Sequence, residues 1–398
     1  MVPKLRFKEF CGEWEEKRLG DIMNSFDYGM NSASMEFDGE NKYIRITDID
    51  ENTHRYLNEN RVSPSGELDD KYIVEKNDIL FARTGASTGK TYLYNEKDGK
   101  LYFAGFLIRG NVKENYDSYF VYSQTLTENY NKWVSLTSMR SGQPGINSNE
   151  YSNYKCNFPS LPEQTKIADF LSTVDDKIQN QQDKITHLEN IKKGFMQKIF
   201  SRKIRFKDDG GEEFPEWEEK KLGDICKMFS GGTPTSGKSE YYGGNINFIR
   251  SGEIHLNKTE LTLTQLGFDS SSAKLVEIGD ILYALYGATS GEVNISKING
   301  AINQAILCIR PDEYYNKKYL AEILNFKKKS ILNTYLQGGQ GNLSGEIIKN
   351  LKLKFPCLKE QQKIADFLSS FDEKISIEKE TLEHLKQLKK GLLQQMFV

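Results

Sequence analysis

Glu163-Gln164-Thr165-Lys166-Ile167-Ala168-Asp169-Phe170-Leu171-Ser172 returns, roughly 200 residues later, as Glu360-Gln361-Gln362-Lys363-Ile364-Ala365-Asp366-Phe367-Leu368-Ser369. Each copy follows a proline-bearing stop, Phe158-Pro159-Ser160-Leu161-Pro162 or Phe355-Pro356-Cys357-Leu358. Apolar residues then recur mostly every third or fourth position: Ile167, Leu171, Val174, Ile178, Ile185, Leu188, Ile191, Phe195 and Ile199 in the first copy. The second has Ile364, Leu368, Phe371, Ile375, Leu382, Leu385, Leu388, Leu392 and Met396. This spacing predicts two helices of ~36–40 residues, each ~55–60 Å long with one apolar stripe close to a coiled-coil seam. Gln181 and Glu378 interrupt the stripes at matching positions, either to fix register or as solvent-facing gaps. One stripe cannot stay in water alone. The simplest partner is the other copy, packed antiparallel, which gives approximate two-fold symmetry.

The repeat extends outward. Trp14-Glu15-Glu16-Lys17-Arg18-Leu19-Gly20-Asp21-Ile22 matches Trp217-Glu218-Glu219-Lys220-Lys221-Leu222-Gly223-Asp224-Ile225, and Lys192-Lys193-Gly194 matches Lys389-Lys390-Gly391. Val74-Glu75-Lys76-Asn77-Asp78-Ile79-Leu80-Phe81-Ala82 matches Val276-Glu277-Ile278-Gly279-Asp280-Ile281-Leu282-Tyr283-Ala284. The expected divisions are 1–157 and 204–354 as variable domains, and 158–203 and 355–398 as shared helices. Within the variable domains, Tyr43–Ile46, Asp78–Phe81, Phe106–Arg109, Asn247–Arg250, Ile281–Tyr283 and Ala305–Ile309 read as strands, and Tyr116–Tyr130 and Tyr319–Asn333 as helical stretches. The fold class expected is α+β: two mixed α/β domains alternating with two long helices.

Composition narrows the function. Of 398 residues, 37% are hydrophobic and 12% aromatic, which excludes a disordered chain. No run approaches the ~18 apolar residues of a membrane span, and Met1 to Phe10 lacks the apolar core of a signal peptide, so a cytoplasmic protein is expected. Five widely spaced cysteines and four scattered histidines support neither a disulfide framework nor a metal site. A net charge of −2 is unlike a protein that coats DNA nonspecifically, so nucleic-acid binding requires local faces or partners.

Three groups of loops carry small polar and basic residues. The first, Arg83 to Lys90, offers Arg83, Thr84, Ser87, Thr88 and Lys90, and its counterpart offers Tyr286, Thr289 and Ser290. The second offers Arg140 and Gln143, matched by Gln337, Gln340 and Asn342. The third, Ser230 to Lys238, offers Thr233, Thr235 and Lys238; Arg45 and Arg250 complete the candidates. Arg, Asn and Gln read purine edges bidentately, and hydroxyls add contacts. The competing reading is ordinary loop tips, with Arg45 and Arg250 bound to Asp48 and Glu253. Gly85 and Gly89 enclose three residues where a phosphate-binding loop needs four. No Gly-x-Gly-x-x-Gly follows a strand, no Asn/Asp-Pro-Pro-aromatic tetrapeptide occurs, and no catalytic triad is suggested.

Two variable domains, each followed by a helix opening Leu-x-Glu-Gln-x-Lys-Ile-Ala-Asp-Phe-Leu, resemble the specificity (HsdS) subunit of a type I restriction–modification system. Leu161 to Asp175 and Leu358 to Asp372 carry the likeness, with the paired Trp openings and Gly231-Gly232-Thr233-Pro234. The first copy has Asp27-Tyr28-Gly29-Met30-Asn31-Ser32-Ala33 instead of the last motif. The resemblance implies that the variable domains are target recognition domains, each reading half of a bipartite, asymmetric site in double-stranded DNA. It implies a non-catalytic subunit whose helices space the readers and dock two modification (HsdM) subunits, joined by two restriction (HsdR) subunits. S-adenosylmethionine, ATP and Mg would then sit on the partners, with no cofactor on this chain. Two alternatives are a coiled-coil scaffold presenting protein- or glycan-binding modules, and an enzyme with an unrecognised site. Alanine at Arg83 and Arg140 is expected to cost ~1–3 kcal/mol of DNA binding and relax the choice of base. Titration against cognate and single-mismatch duplexes checks this.

Overall fold

The computed structural model describes residues 2–139, 142–336 and 342–397. The two expected helices are present as Leu161–Phe200 and Leu358–Met396, of 40 and 39 residues. The chain divides into two compact units, with the boundaries inside both helices. One unit comprises residues 1–182 with 380–398, and the other comprises 183–379.

In the first unit, an antiparallel sheet runs in the order Met23–Tyr28, Leu107–Val112, Asp78–Ala82, Thr91–Leu93. Its strand Asp78–Ala82 is buried throughout. Ile79 and Phe81 enter one core, which contains Phe120, Tyr151 and the helix residues Ile167 and Leu171; Leu80 and Ala82 enter another around Ile44 and Phe103. A strand covered on both faces reads as a continuous apolar run, as this one does. Lys42–Ile44 pairs in parallel with Leu101–Phe103, and Ser34–Glu36 antiparallel with Val62–Pro64. The helical stretch expected over Tyr116–Tyr130 resolves into Ser118–Gln124 and Glu128–Thr137, capped by Asp117 and Thr127.

The second unit repeats the plan. Its sheet runs Cys226–Ser230, Ile306–Pro311, Ile281–Ala284, Val293–Ile295, and a second four-stranded sheet runs Thr262–Leu263, Tyr242–Ile249, Gly300–Ile302, Lys274–Val276. Ile281 and Tyr283 face the core shared with Ile364 and Leu368, while Leu282 and Ala284 face the core around Ile249. The expected helix is Lys317–Leu336.

The shared openings close each domain. Glu15–Arg18 pairs antiparallel with Lys155–Phe158, and Glu218–Lys221 with Lys352–Phe355, so the start of each domain lies beside the strand that leads into its helix. There the Glu-Gln pair is buried twice over. Glu163 receives Arg6 through Nε at 2.7 Å and Nη2 at 2.8 Å, with the Trp14 indole at 3.4 Å. Glu360 receives Arg205 at 3.3 and 2.9 Å and Trp217 at 3.1 Å. Gln164 accepts from the Asp117 amide and donates to the Pro159 carbonyl; Gln361 does the same with Asn316 and Pro356. The two arginines sit in a further repeat, Lys4-Leu5-Arg6-Phe7-Lys8 and Lys203-Ile204-Arg205-Phe206-Lys207, which the reading above overlooks.

The seam residues Ile167, Leu171, Val174, Ile178, Ile185, Ile364, Leu368, Ile375 and Leu382 are buried, and Leu188, Phe371 and Leu385 half-buried. Leu388 corrects the stripe: at 53% exposed, it faces solvent. The stripe also does more than join helices, because Ile167, Leu171, Ile364 and Leu368 belong to the domain cores. Ion pairs show the local sense of packing. In the second unit Lys184–Glu378 (2.6 Å) and Lys192–Asp372 (2.7 Å) ascend one helix while descending the other, which is antiparallel. In the first unit the equivalent Lys389 meets Asp175 at 2.7 Å. Burial opposes the charge on Lys192, but Glu322 and Asp372 outweigh it and raise its pKa.

Replacing Arg205 with alanine leaves the carboxylate of Glu360 buried without its guanidinium partner. Arg205→Ala is expected to lose about 2–3 kcal/mol of stability. Arg205→Lys should restore only part, because an ammonium cannot donate in a planar fork. Urea denaturation of both variants measures this.

Candidate nucleic-acid interface

The first unit carries a cleft of ≈ 780 Å³ where the candidate loops meet the end of the sheet. Tyr28, Arg45, Arg83, Thr84, Phe106 and Gln143 line it. Its floor depends on Gly29, where an added Cβ would lie 2.2 Å from the Ala104 carbonyl oxygen. Gly231 has the same role, with an added Cβ 1.8 Å from the Ile302 oxygen. The first domain therefore keeps the close-approach glycine without the Gly-Gly-Thr-Pro motif. Gly85 and Gly287 hold φ of 80° and 89°, a left-handed turn that glycine adopts without strain.

On this shared backbone the side chains differ. The Arg83 guanidinium lies over the Tyr28 ring, 4.8 Å from its centroid, and donates to the Gly105 carbonyl at 3.3 Å. The Tyr28 hydroxyl accepts from the amide and hydroxyl of Ser148, each at 3.2 Å. The Ser148 hydroxyl, helped by the Arg83 charge, holds the Tyr28 pKa below its usual value. In the second unit Leu285 stands where Arg83 does: its amide donates to the Ala305 carbonyl as Arg83 does to that of Phe106. Thr233 Oγ1 donates to Gln304 Oε1 at 2.6 Å, and Gln304 also bonds the neighbouring Tyr286. The first unit's cleft thus presents a stacked guanidinium and an exposed aromatic, and the matching loops of the second unit a hydroxyl–amide–phenol network.

Other candidates have structural work. Arg45 bonds Asp48 twice at 2.8 Å, and the carboxylate also accepts from the Arg45 amide. Arg250 bonds Glu253 at 3.0 and 3.2 Å and also pairs with Glu260. The competing ion-pair reading is therefore the arrangement observed, and it raises the pKa of both arginines. Arg45 nevertheless lines the cleft. Lys90 is corrected outright: it is buried, and its ammonium bonds the Ile49 carbonyl at 2.8 Å and Glu51 at 2.6 Å. Thr88 bonds the Gly85 carbonyl, Ser290 the Leu285 carbonyl, and Ser87 the Glu51 carboxylate, so all three tie down their loops. Thr235 is exposed, Thr289 half-buried, and Lys238 lies over the Tyr241 ring. Gln143 and Asn342 are exposed. Arg140, Gln337 and Gln340 lie outside the described residues.

Phe106 and Gln304, single residues in turns, and Tyr28, at the end of a strand, escape sequence reasoning because no period marks them. A second concavity of the first unit, ≈ 650 Å³, has its basic groups engaged: Arg55 donates to the Gln179 amide oxygen at 2.8 Å, and Lys389 pairs with Asp175. Burial pushes the thiols of Cys226 and Cys308 up to about 12, unlike a nucleophile. Among the described residues no group of His, Cys, Asp and Glu could hold a metal, and no helix is long and apolar enough to cross a membrane.

The model of the type I restriction modification DNA specificity domain matches residues 12–190 and again 215–387. The chain belongs to this family. It is 27% identical to the MjaVIII specificity subunit of Methanocaldococcus jannaschii over 97% of this chain and 94% of that one. It is 23% identical to the HindI specificity subunit of Haemophilus influenzae, covering 83% and 87%. In fold it resembles the type I restriction–modification S subunit from M. genitalium, with a TM-score of 0.62 and 17% identity over 100% and 99% of the two chains.

Lys90→Met should lower stability by about 1 kcal/mol and leave both the DNA affinity of the assembled complex and its salt slope unchanged. Urea denaturation and salt-dependent titration separate this from loss of a phosphate contact, which would flatten the slope.

Proposed function

We propose that this chain is the DNA-reading, non-catalytic subunit of a type I restriction–modification complex. The observation that carries the proposal is the pair of matching loop frames, alike in backbone and unlike in side chains. Similar frames holding different donors and acceptors suit two different half-sites, so the target is a split, asymmetric sequence in duplex DNA. Protein geometry sets the distance between half-sites, as it does for dimeric readers. Modification subunits dock on the long helices and bring S-adenosylmethionine for adenine methylation. They also supply DNA-binding charge, consistent with the net −2 of this chain. Methylation in a duplex requires the partner to flip the adenine out of the stack. Restriction subunits bring ATP hydrolysis and cleavage.

Mapping N6-methyladenine across the genome of a methylation-free host tests this reading. A host carrying this chain with its modification partner should show a split motif that is absent with the partner alone. Replacing residues 1–155 with those of another reader should alter one half of the motif and leave the other. If the complex assembles and no new methylation appears, the reader assignment fails.

A further inference from the structure

We propose that Phe106 contacts the methyl group of a thymine in the half-site read by the first domain. The inference rests on the DNA-reading function above and assigns one residue to one kind of base. Phe106 is 65% exposed, although the aromatic side chains around it in sequence, Tyr102 and Phe103, are fully buried. It stands on the turn between strands Leu101–Phe103 and Leu107–Val112. Hydrogen bonds hold that turn on three sides: Gly105 N to the Met30 carbonyl at 2.8 Å, Leu107 N to the Ala104 carbonyl at 2.8 Å, and Arg83 N to the Phe106 carbonyl at 3.0 Å. A large apolar ring on a fixed backbone, lining the cleft, is costly to leave in water and adds nothing to the domain core.

Its neighbours indicate what covers it. Arg83, Thr84 and Gln143 share the cleft, and side chains of these types hydrogen-bond base edges in the major groove. In that groove the apolar group on offer is the thymine 5-methyl. Insertion of an apolar wedge between bases belongs to minor-groove binders, which kink the duplex. The second domain makes the corresponding turn with Asn303, Gln304 and Ala305. There Ala305 is buried, and the exposed side chain is the amide of Gln304. Apolar readout at this turn is therefore confined to the first half-site.

The test uses the complete complex with its modification partner, on duplexes in which each thymine of the motif is replaced singly by deoxyuridine. At one position of the first half-site, deoxyuridine should weaken wild-type binding roughly three- to fivefold. Phe106→Ala should bind thymine DNA that much more weakly and show no further loss with deoxyuridine there. Substitutions in the second half-site should affect both proteins equally, and the thermal midpoint of the exposed-site variant should be unchanged. Specific binding that is indifferent to deoxyuridine, or a first half-site without thymine, would overturn the contact and leave the reader role standing. Phe106-dependent brightening of 2-aminopurine placed beside the contacted step would mean insertion, and would also overturn it. Sequence-independent binding by the wild-type complex would remove the reader role and this contact together.

Discussion

The interaction on which each half depends is a buried carboxylate at the first turn of a long helix. Glu163 and Glu360 are almost wholly removed from water, and each is held by a bidentate arginine and an indole N–H. A carboxylate so buried is tolerable only when paired and hydrogen-bonded. Its partners come from opposite directions along the chain. The arginine and tryptophan precede the reader domain, and the carboxylate follows it. One ionic contact thus fixes the beginning and end of about 150 residues against the start of the helix. The adjoining glutamine fastens the first turn of a reader helix, through Asp117 in one copy and Asn316 in the other. These groups recur in both copies because each satisfies a buried partner.

Behind that anchor, the reader domains divide their labour between backbone and side chain. Close-approach glycines, left-handed turn glycines and the doubly covered strand build the same frame twice. Several side chains that line the cleft, Arg83 and Phe106 among them, lie outside that frame and differ between the domains. Arg83 can lie over Tyr28 in one domain while leucine occupies its place in the other. Residues that do support the frame, Lys90 for example, are withdrawn from the cleft into fixed hydrogen bonds.

The helices were legible because their apolar residues recur at the helical period over ten turns, and the strands because Asp78–Ala82 and Ile281–Ala284 are short apolar runs between turns. Leu388 was misread because the covered stripe passes through its neighbour Lys389, held by Asp175, before returning to the apolar Leu392, Leu393 and Met396. Arg45 and Arg250 were ambiguous for a physical reason. An arginine three residues before an acid makes a local pair, yet the same residue type reads DNA. The burial of Lys90 depends on Ile49 and Glu51, some 40 residues away, a relation no local pattern encodes. Arg6 and Arg205 were visible in principle, since Lys-Leu-Arg-Phe-Lys and Lys-Ile-Arg-Phe-Lys repeat; that short match was eclipsed by the longer ones.

The division inside the helices has a consequence for the order in which the protein is made. Residues 183–379 form their unit from one continuous segment, whereas the other unit draws on 1–182 and 380–398. The missing portion is not peripheral. Leu393, Met396 and Phe397 enter the core around Trp14 and Phe120, with the Phe397 ring 5.2 Å from that of Phe120. During synthesis, the reader translated first therefore waits with part of its aromatic core uncovered until the whole of the other unit has been translated. The domain that begins folding first is completed last, and its exposed interior is the stage at which the growing chain is most open to aggregation or to a chaperone.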